Sequence, residues 1–179
     1  MPVLEIRRFP DPVLKRKARE VRNIDGGVAR LINSMVDTMY AANGVGLAAP
    51  QVGEGQRILV LDTDPDNRGK ELLKIVNPEI VESSGEITWE EGCLSVVNLT
   101  VETTRFQRIL LRGWTLDQRE IEVEAEDLKA VALQHEIDHL DGTLLTDHLS
   151  RLKRDLYRRR LKRGSRQDDA PGGNNIQRI

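Results

Sequence analysis

The chain has 179 residues, of which 39% are hydrophobic, 31% charged and 3% aromatic, with a single cysteine. That length suits one domain with an aliphatic core; no apolar run reaches the ~20 residues of a membrane span, and one cysteine excludes an internal disulfide. The formal net charge of -2 hides an uneven distribution: residues 1–150 carry 17 Lys/Arg against 26 Asp/Glu, whereas residues 151–166 carry nine Lys/Arg against Asp155 alone. The start, Met-Pro-Val-Leu-Glu-Ile-Arg-Arg, lacks the apolar core of a signal peptide, so a soluble, cytoplasmic protein is expected.

The first helical pattern runs from about Asp25 to Asn43, with Val28, Leu31, Ile32, Met35, Val36 and Met39 on one face and Gly44 as the stop. Short aliphatic runs at Arg57–Asp62, Leu73–Glu82, Arg108–Thr115 and Glu120–Glu124 read as strands, split by turn clusters such as Asp64-Pro65-Asp66-Asn67. A second helix is expected from about Glu126 to Leu140, with Leu128, Val131, Ala132, His135 and His139 in one stripe and Gly142 as its stop. A third, about Asp147 to Arg163, places Leu149, Leu152, Leu156 and Leu161 on one side and basic residues elsewhere. The strands follow one another instead of alternating with helices, which predicts an α+β fold. One domain over residues 1–163 and a flexible tail over 164–179 complete the expected organisation.

The most specific feature is His135-Glu136-Ile137-Asp138-His139. On a helix, positions i and i+4 share a face, so both imidazoles can bind one ion while Glu136 acts as a base on metal-bound water. Two core histidines on an amphipathic stripe are the plainer alternative, but chance rarely pairs two of only three histidines at this spacing with a glutamate between them. A catalytic tetrahedral site wants a third protein ligand. His148 lies downstream, near the basic segment; Cys93, in Glu91-Gly92-Cys93-Leu94-Ser95, is the better candidate because a thiolate is a strong, soft ligand. A glycine-punctuated stretch, Gly44-Val45-Gly46-Leu47-Ala48-Ala49-Pro50-Gln51, allows close backbone approach, and Gln51 is its one strong side-chain donor. It lacks the lysine of a phosphate loop, so no nucleotide cofactor is expected.

These three segments together resemble the peptide deformylase family, whose motifs G-x-G-x-A-A-x-Q, E-G-C-x-S and H-E-x-x-H occur here in order at Gly44–Gln51, Glu91–Ser95 and His135–His139. The resemblance implies mixed or antiparallel β-sheets around a central helix carrying H-E-x-x-H, followed by the basic C-terminal helix. It also implies hydrolysis of the formyl group from N-formylmethionine on nascent peptides. By position, Cys93, His135 and His139 would bind the metal, Glu136 would take and return the proton, and the Gln51 amide with the Leu94 backbone N–H would hold the oxyanion. The metal implied is iron(II), with zinc, nickel or cobalt possible in purified protein. The peptide would pair along Gly44, Val45 and Gly46, and Val45, Trp89, Leu128, Val131 and Ala132 would line the methionine pocket. The family usually follows E-G-C-x-S with a hydrophobic residue and proline, whereas this chain has Val96, Val97 and Asn98. Residues 151–163 suit contact with ribosomal RNA phosphate; a solvated basic helix face is the alternative. Other readings of the motifs are a metallopeptidase cutting internal bonds and a non-catalytic zinc module binding RNA through its basic segment.

Overall fold

The computed structural model describes residues 1–164. The fold is α+β, with helices α1 (Gly26–Ala41), α2 (Asp127–Leu140) and α3 (Arg151–Gly164) and strands β1 (Gly46–Ala48), β2 (Ile58–Leu61), β3 (Leu73–Ser84), β4 (Ile87–Cys93), β5 (Val96–Arg105), β6 (Arg108–Trp114) and β7 (Glu120–Glu126). Five strands form an antiparallel sheet in the order β1-β2-β3-β6-β7, and β4 pairs with β5 in a separate two-stranded sheet. None of the described helices is long and apolar enough to cross a membrane.

Strand β2 shows how the layers are built. All four of its residues are buried, and their side chains alternate between two clusters. Leu59 and Leu61 join Ile75, Leu111, Ala130, Val131 and Leu133 on the α2 face, whereas Ile58 and Val60 join Ile32, Met35, Met39 and Val76 on the α1 face. A strand buried on both sides reads as a continuous apolar run, which is how Ile-Leu-Val-Leu stands in the sequence.

Both long helices end as their sequences require, with one change of residue. Asp25 caps α1 by accepting from the backbone N–H groups of Gly27 and Val28 at 2.8 and 3.1 Å. The stop expected at Gly44 is made one residue earlier: Asn43 takes the left-handed conformation (φ 53). The Gly44 and Asn43 N–H groups bond back to Met39 O and Tyr40 O, closing a Schellman motif. Gly142 (φ 76) ends α2 in the same way, with Thr143 N–H on Asp138 O and its own N–H on His139 O. Glu126, expected in the first turn of α2, is instead the last residue of β7, and the chain reverses at Asp127 (φ 48).

One hairpin is absent from the sequence-based expectations and one expected apolar face is only partly met, each for an identifiable reason. The hairpin β4–β5 does not stand out as strands, because its inward positions include Glu91, Thr103 and Arg105, polar groups where a strand pattern has apolar ones. The leucine stripe of α3 is only partly buried: the third core cluster takes Tyr157, Leu149 and Leu161, while Leu152 and Leu156 are 71% and 54% exposed. Residue 164, assigned to a tail, ends α3; the rest of that segment lies outside the described residues. Leu61→Ala is therefore expected to cost about 2–5 kcal/mol, and Leu152→Ala less than about 0.5 kcal/mol. Urea unfolding of the two variants checks this, and equal losses would contradict the packing.

Candidate metal centre

Three elements converge on one buried point. Helix α2 supplies His135, Glu136 and His139, the end of β4 supplies Cys93, and the 3-10 turn Ala49–Val52 supplies Gln51. One ligand atom from each of Cys93, His135 and His139 lies within 4.8 Å of the others, and all three side chains are buried. Cys93 Sγ stands 3.2 Å from His139 Nε2. A tetrahedral cation with bonds of about 2.0–2.3 Å needs ligand atoms about 3.3–3.8 Å apart, so small side-chain adjustments close the site around an ion.

Polar satisfaction fits the same reading. His135 Nδ1 bonds Glu91 Oε2 at 2.7 Å, while its buried Nε2 has no partner among the described residues. Both carboxylate oxygens of Glu136 and Nδ1 of His139 are likewise buried without a hydrogen bond. Orphaned buried polar atoms of this kind are costly unless an ion or water completes them. Burial pushes the Cys93 thiol up to about 12, against the pull of the Ser95 N–H. It also pushes His139 well below the usual imidazole range, with the His135 and Arg105 charges adding to the shift. Burial, aided by the Glu91 and Asp138 charges, raises Glu136 well above ordinary carboxylates. A neutral thiol and a neutral imidazole in a buried pocket form a donor set suited to a divalent cation, whose charge would hold the thiolate.

The flanking groups are aimed. Gln51 Oε1 accepts from the Ala48 N–H at 2.7 Å, which turns Nε2 toward Ser95 Oγ at 3.3 Å and Cys93 Sγ at 3.8 Å. At Gly46 any Cβ would clash with Glu136 Oε1 and lie 2.9 Å from Cδ, so the β1 backbone presses directly on that carboxylate. Gly44 is pressed in the same way by the Leu94 side chain. Of the expected methionine-pocket residues, Val45, Val131 and Ala132 share one cluster with Trp89 packed against it; Leu128 is half-buried and not part of that cluster. His148, weighed as a ligand, stands instead 3.5 Å from Asp138 and apart from the Cys–His–His group.

Glu91 is the residue that the motifs contained without revealing its part. Fully buried, it accepts from Arg105 Nε at 2.7 Å, Arg105 Nη2 at 3.0 Å, His135 Nδ1 and the Thr103 hydroxyl. Arg105 continues to Asp138 Oδ2 at 2.7 Å. Period two along β4 puts Glu91 on the inward face with Ile87 and Trp89, the one sequence signal that could have exposed it. Burial alone would raise its carboxyl, but the His135 and Arg105 hydrogen bonds and charges outweigh that and hold it at about 2. A carboxyl depressed from 4.5 to about 2 contributes stability that is complete above pH 4.5 and lost as pH falls toward 2. Glu91→Gln should flatten that acid limb in unfolding measured across these pH values, and cost about 3 kcal/mol near neutrality by leaving Asp138 as the one counter-charge to Arg105 among the described residues. An unchanged acid limb would contradict the depressed carboxyl.

Residues 3–155 match the family model described as polypeptide deformylase. A peptide deformylase from Thermodesulfovibrio yellowstonii is 51% identical over 162 residues, covering 90% of this chain and 98% of the relative. The crystal structure of a peptide deformylase from Legionella pneumophila superposes with a TM-score of 0.86 at 42% identity, covering 94% of this chain and 100% of that one. The Ehrlichia chaffeensis peptide deformylase in complex with actinonin gives a TM-score of 0.86 at 38% identity, covering 93% and 100%. With its Cys–His–His cluster in the same kind of fold, this chain belongs to the polypeptide deformylase family.

Proposed function

We propose that this chain is a metal-dependent hydrolase that removes the formyl group from N-formylmethionine at the start of new polypeptides, releasing formate, in the cytoplasm. The observation that carries this reading is the convergence of an amide donor, Gln51 Nε2, and an unpartnered carboxyl, Glu136, on one buried Cys–His–His cluster. Cys93 Sγ and the Nε2 atoms of His135 and His139 would hold a divalent cation, which would supply a Lewis acid and lower the pKa of water toward neutrality. Glu136 takes the proton of the attacking water and passes it to the departing amine nitrogen. The Gln51 amide and the Leu94 backbone N–H hold the developing oxyanion. Strand β1 is an edge of its sheet, so a peptide can add alongside Gly44, Val45 and Gly46. Val45, Trp89, Leu128, Val131 and Ala132 take the methionine side chain. Actinonin, bound in the Ehrlichia relative, is the inhibitor this cleft should accept.

A thiolate with two imidazoles suits iron(II), the cation proposed in the cell, and also zinc, nickel or cobalt. The test is an oxygen-free assay on formyl-Met peptides with metal content measured. Wild type turns over steadily with iron bound and decays in air. Glu136→Gln loses about 100-fold or more, and Cys93→Ala loses metal and activity together. Gly46→Ala keeps its metal but loses turnover, because the added methyl displaces the Glu136 carboxyl. Full activity in Glu136→Gln, or steady cleavage of internal peptide bonds, would overturn the reading.

The basic residues of α3 within 151–163 are proposed to meet ribosomal RNA phosphate, supported by the excess of Lys and Arg there. Cosedimentation with ribosomes should then weaken steeply between about 50 and 200 mM salt. Salt-independent binding, or none at low salt, would exclude that contact.

A further inference from the structure

We propose that Tyr157 is a positioning residue for the Cys93 ligand, tying helix α3 to the turn that carries the thiolate. The proposal rests on the metal-centre reading above. Cys93 closes β4 where the ladder is irregular: a register shift follows Gly92, and Cys93 pairs with Val96 only three residues on. Ser95 turns its N–H back on Cys93 Sγ at 3.4 Å. Just beyond, Asn98 stands in the left-handed region (φ 57), a conformation that costs an L residue free energy. The family's proline would fix the backbone before this point; Val97 leaves its φ free.

Two donors from outside the hairpin hold this turn and the start of β5 beside it. The Phe9 N–H donates to Ser95 O at 2.8 Å, and the Tyr157 hydroxyl donates to Val97 O at 2.9 Å across 60 residues of sequence. The two donors brace each other. Their rings stand 5.9 Å apart at 35°, with the Arg158 guanidinium 5.7 Å from the Phe9 ring. Phe9 and Tyr157 are buried in one cluster with Cys93 and Val96. The segment that aims Sγ at His139 is therefore held at the Ser95 and Val97 carbonyls by the Phe9 backbone N–H and the Tyr157 hydroxyl, the latter from α3. The α3 hydroxyl supplies the restraint that proline would have given.

The experiment uses the full chain loaded with cobalt(II), in wild type and Tyr157→Phe, which keeps the ring and removes only the hydroxyl. It reads the thiolate-to-cobalt absorption band, the half-life of the metal against a chelator, the melting temperature, and kcat and KM on a formyl-Met peptide. The expected result is a shifted band, metal loss about five-fold faster and a lower kcat at unchanged KM. The melting temperature should fall by no more than about 4 °C. A variant whose band and metal half-life match wild type overturns the proposal, whatever its melting temperature. A wild-type protein with no thiolate band fails one step earlier and takes the metal-centre reading with it.

Discussion

Glu91 carries a negative charge at a fully buried position. An isolated buried carboxylate costs several kcal/mol, so its position is tolerable only with every lone pair engaged. Its donors come from two different elements: Arg105 and Thr103 on β5, His135 on α2. They can all be satisfied in one relative placement of hairpin and helix, and Arg105 locks that placement by reaching back to Asp138 on α2. Because the Glu91 carboxyl stays ionised, the His135 ring must present Nδ1–H to it, which leaves Nε2 facing Cys93 and His139. The ion pairs thus set ligand geometry before any cation arrives.

The backbone supports this arrangement from the other side. Strand β2, covered by α1 on one face and α2 on the other, fixes β1 beside it in antiparallel register. Strand β1 then brings Gly46 against Glu136 with no room for a side chain. The Schellman motif at Gly142 ends α2 one turn after His139, and Leu140 O accepts from the Ala18 N–H at 2.8 Å. The carboxylate and both imidazoles are thereby held by regular structure, while the thiolate ends β4 against a turn that depends on neighbours for its shape.

Legibility in the sequence followed chemical redundancy. Helical spacing alone put His135 and His139 on one face, and the apolar run of β2 declared a strand. Asn43 could not be separated from Gly44 as the stop of α1, because both tolerate the left-handed region. Strands β4 and β5 hid behind their own function: Glu91, Thr103 and Arg105 occupy inward positions and break the alternation by which strands are recognised. In the helix expected from Asp147 to Arg163 four leucines outlined a face, yet Tyr157 was the residue that became fully buried, since the surface it meets is shaped by Phe9 and Val97 from distant segments.

From the sequence by itself came the donor set, the order of the motifs and the unequal charge of the two ends, since these depend on residue identity and on spacing within one element. Tertiary structure alone decided that Glu91 is the pivot, that Gln51 points its amide toward Cys93, and that α3 meets the ligand turn through a tyrosine. The physical reason is the range of the interactions. Helical and strand periodicity act over a few residues, whereas burial and hydrogen bonding join groups 14, 44 and 60 positions apart.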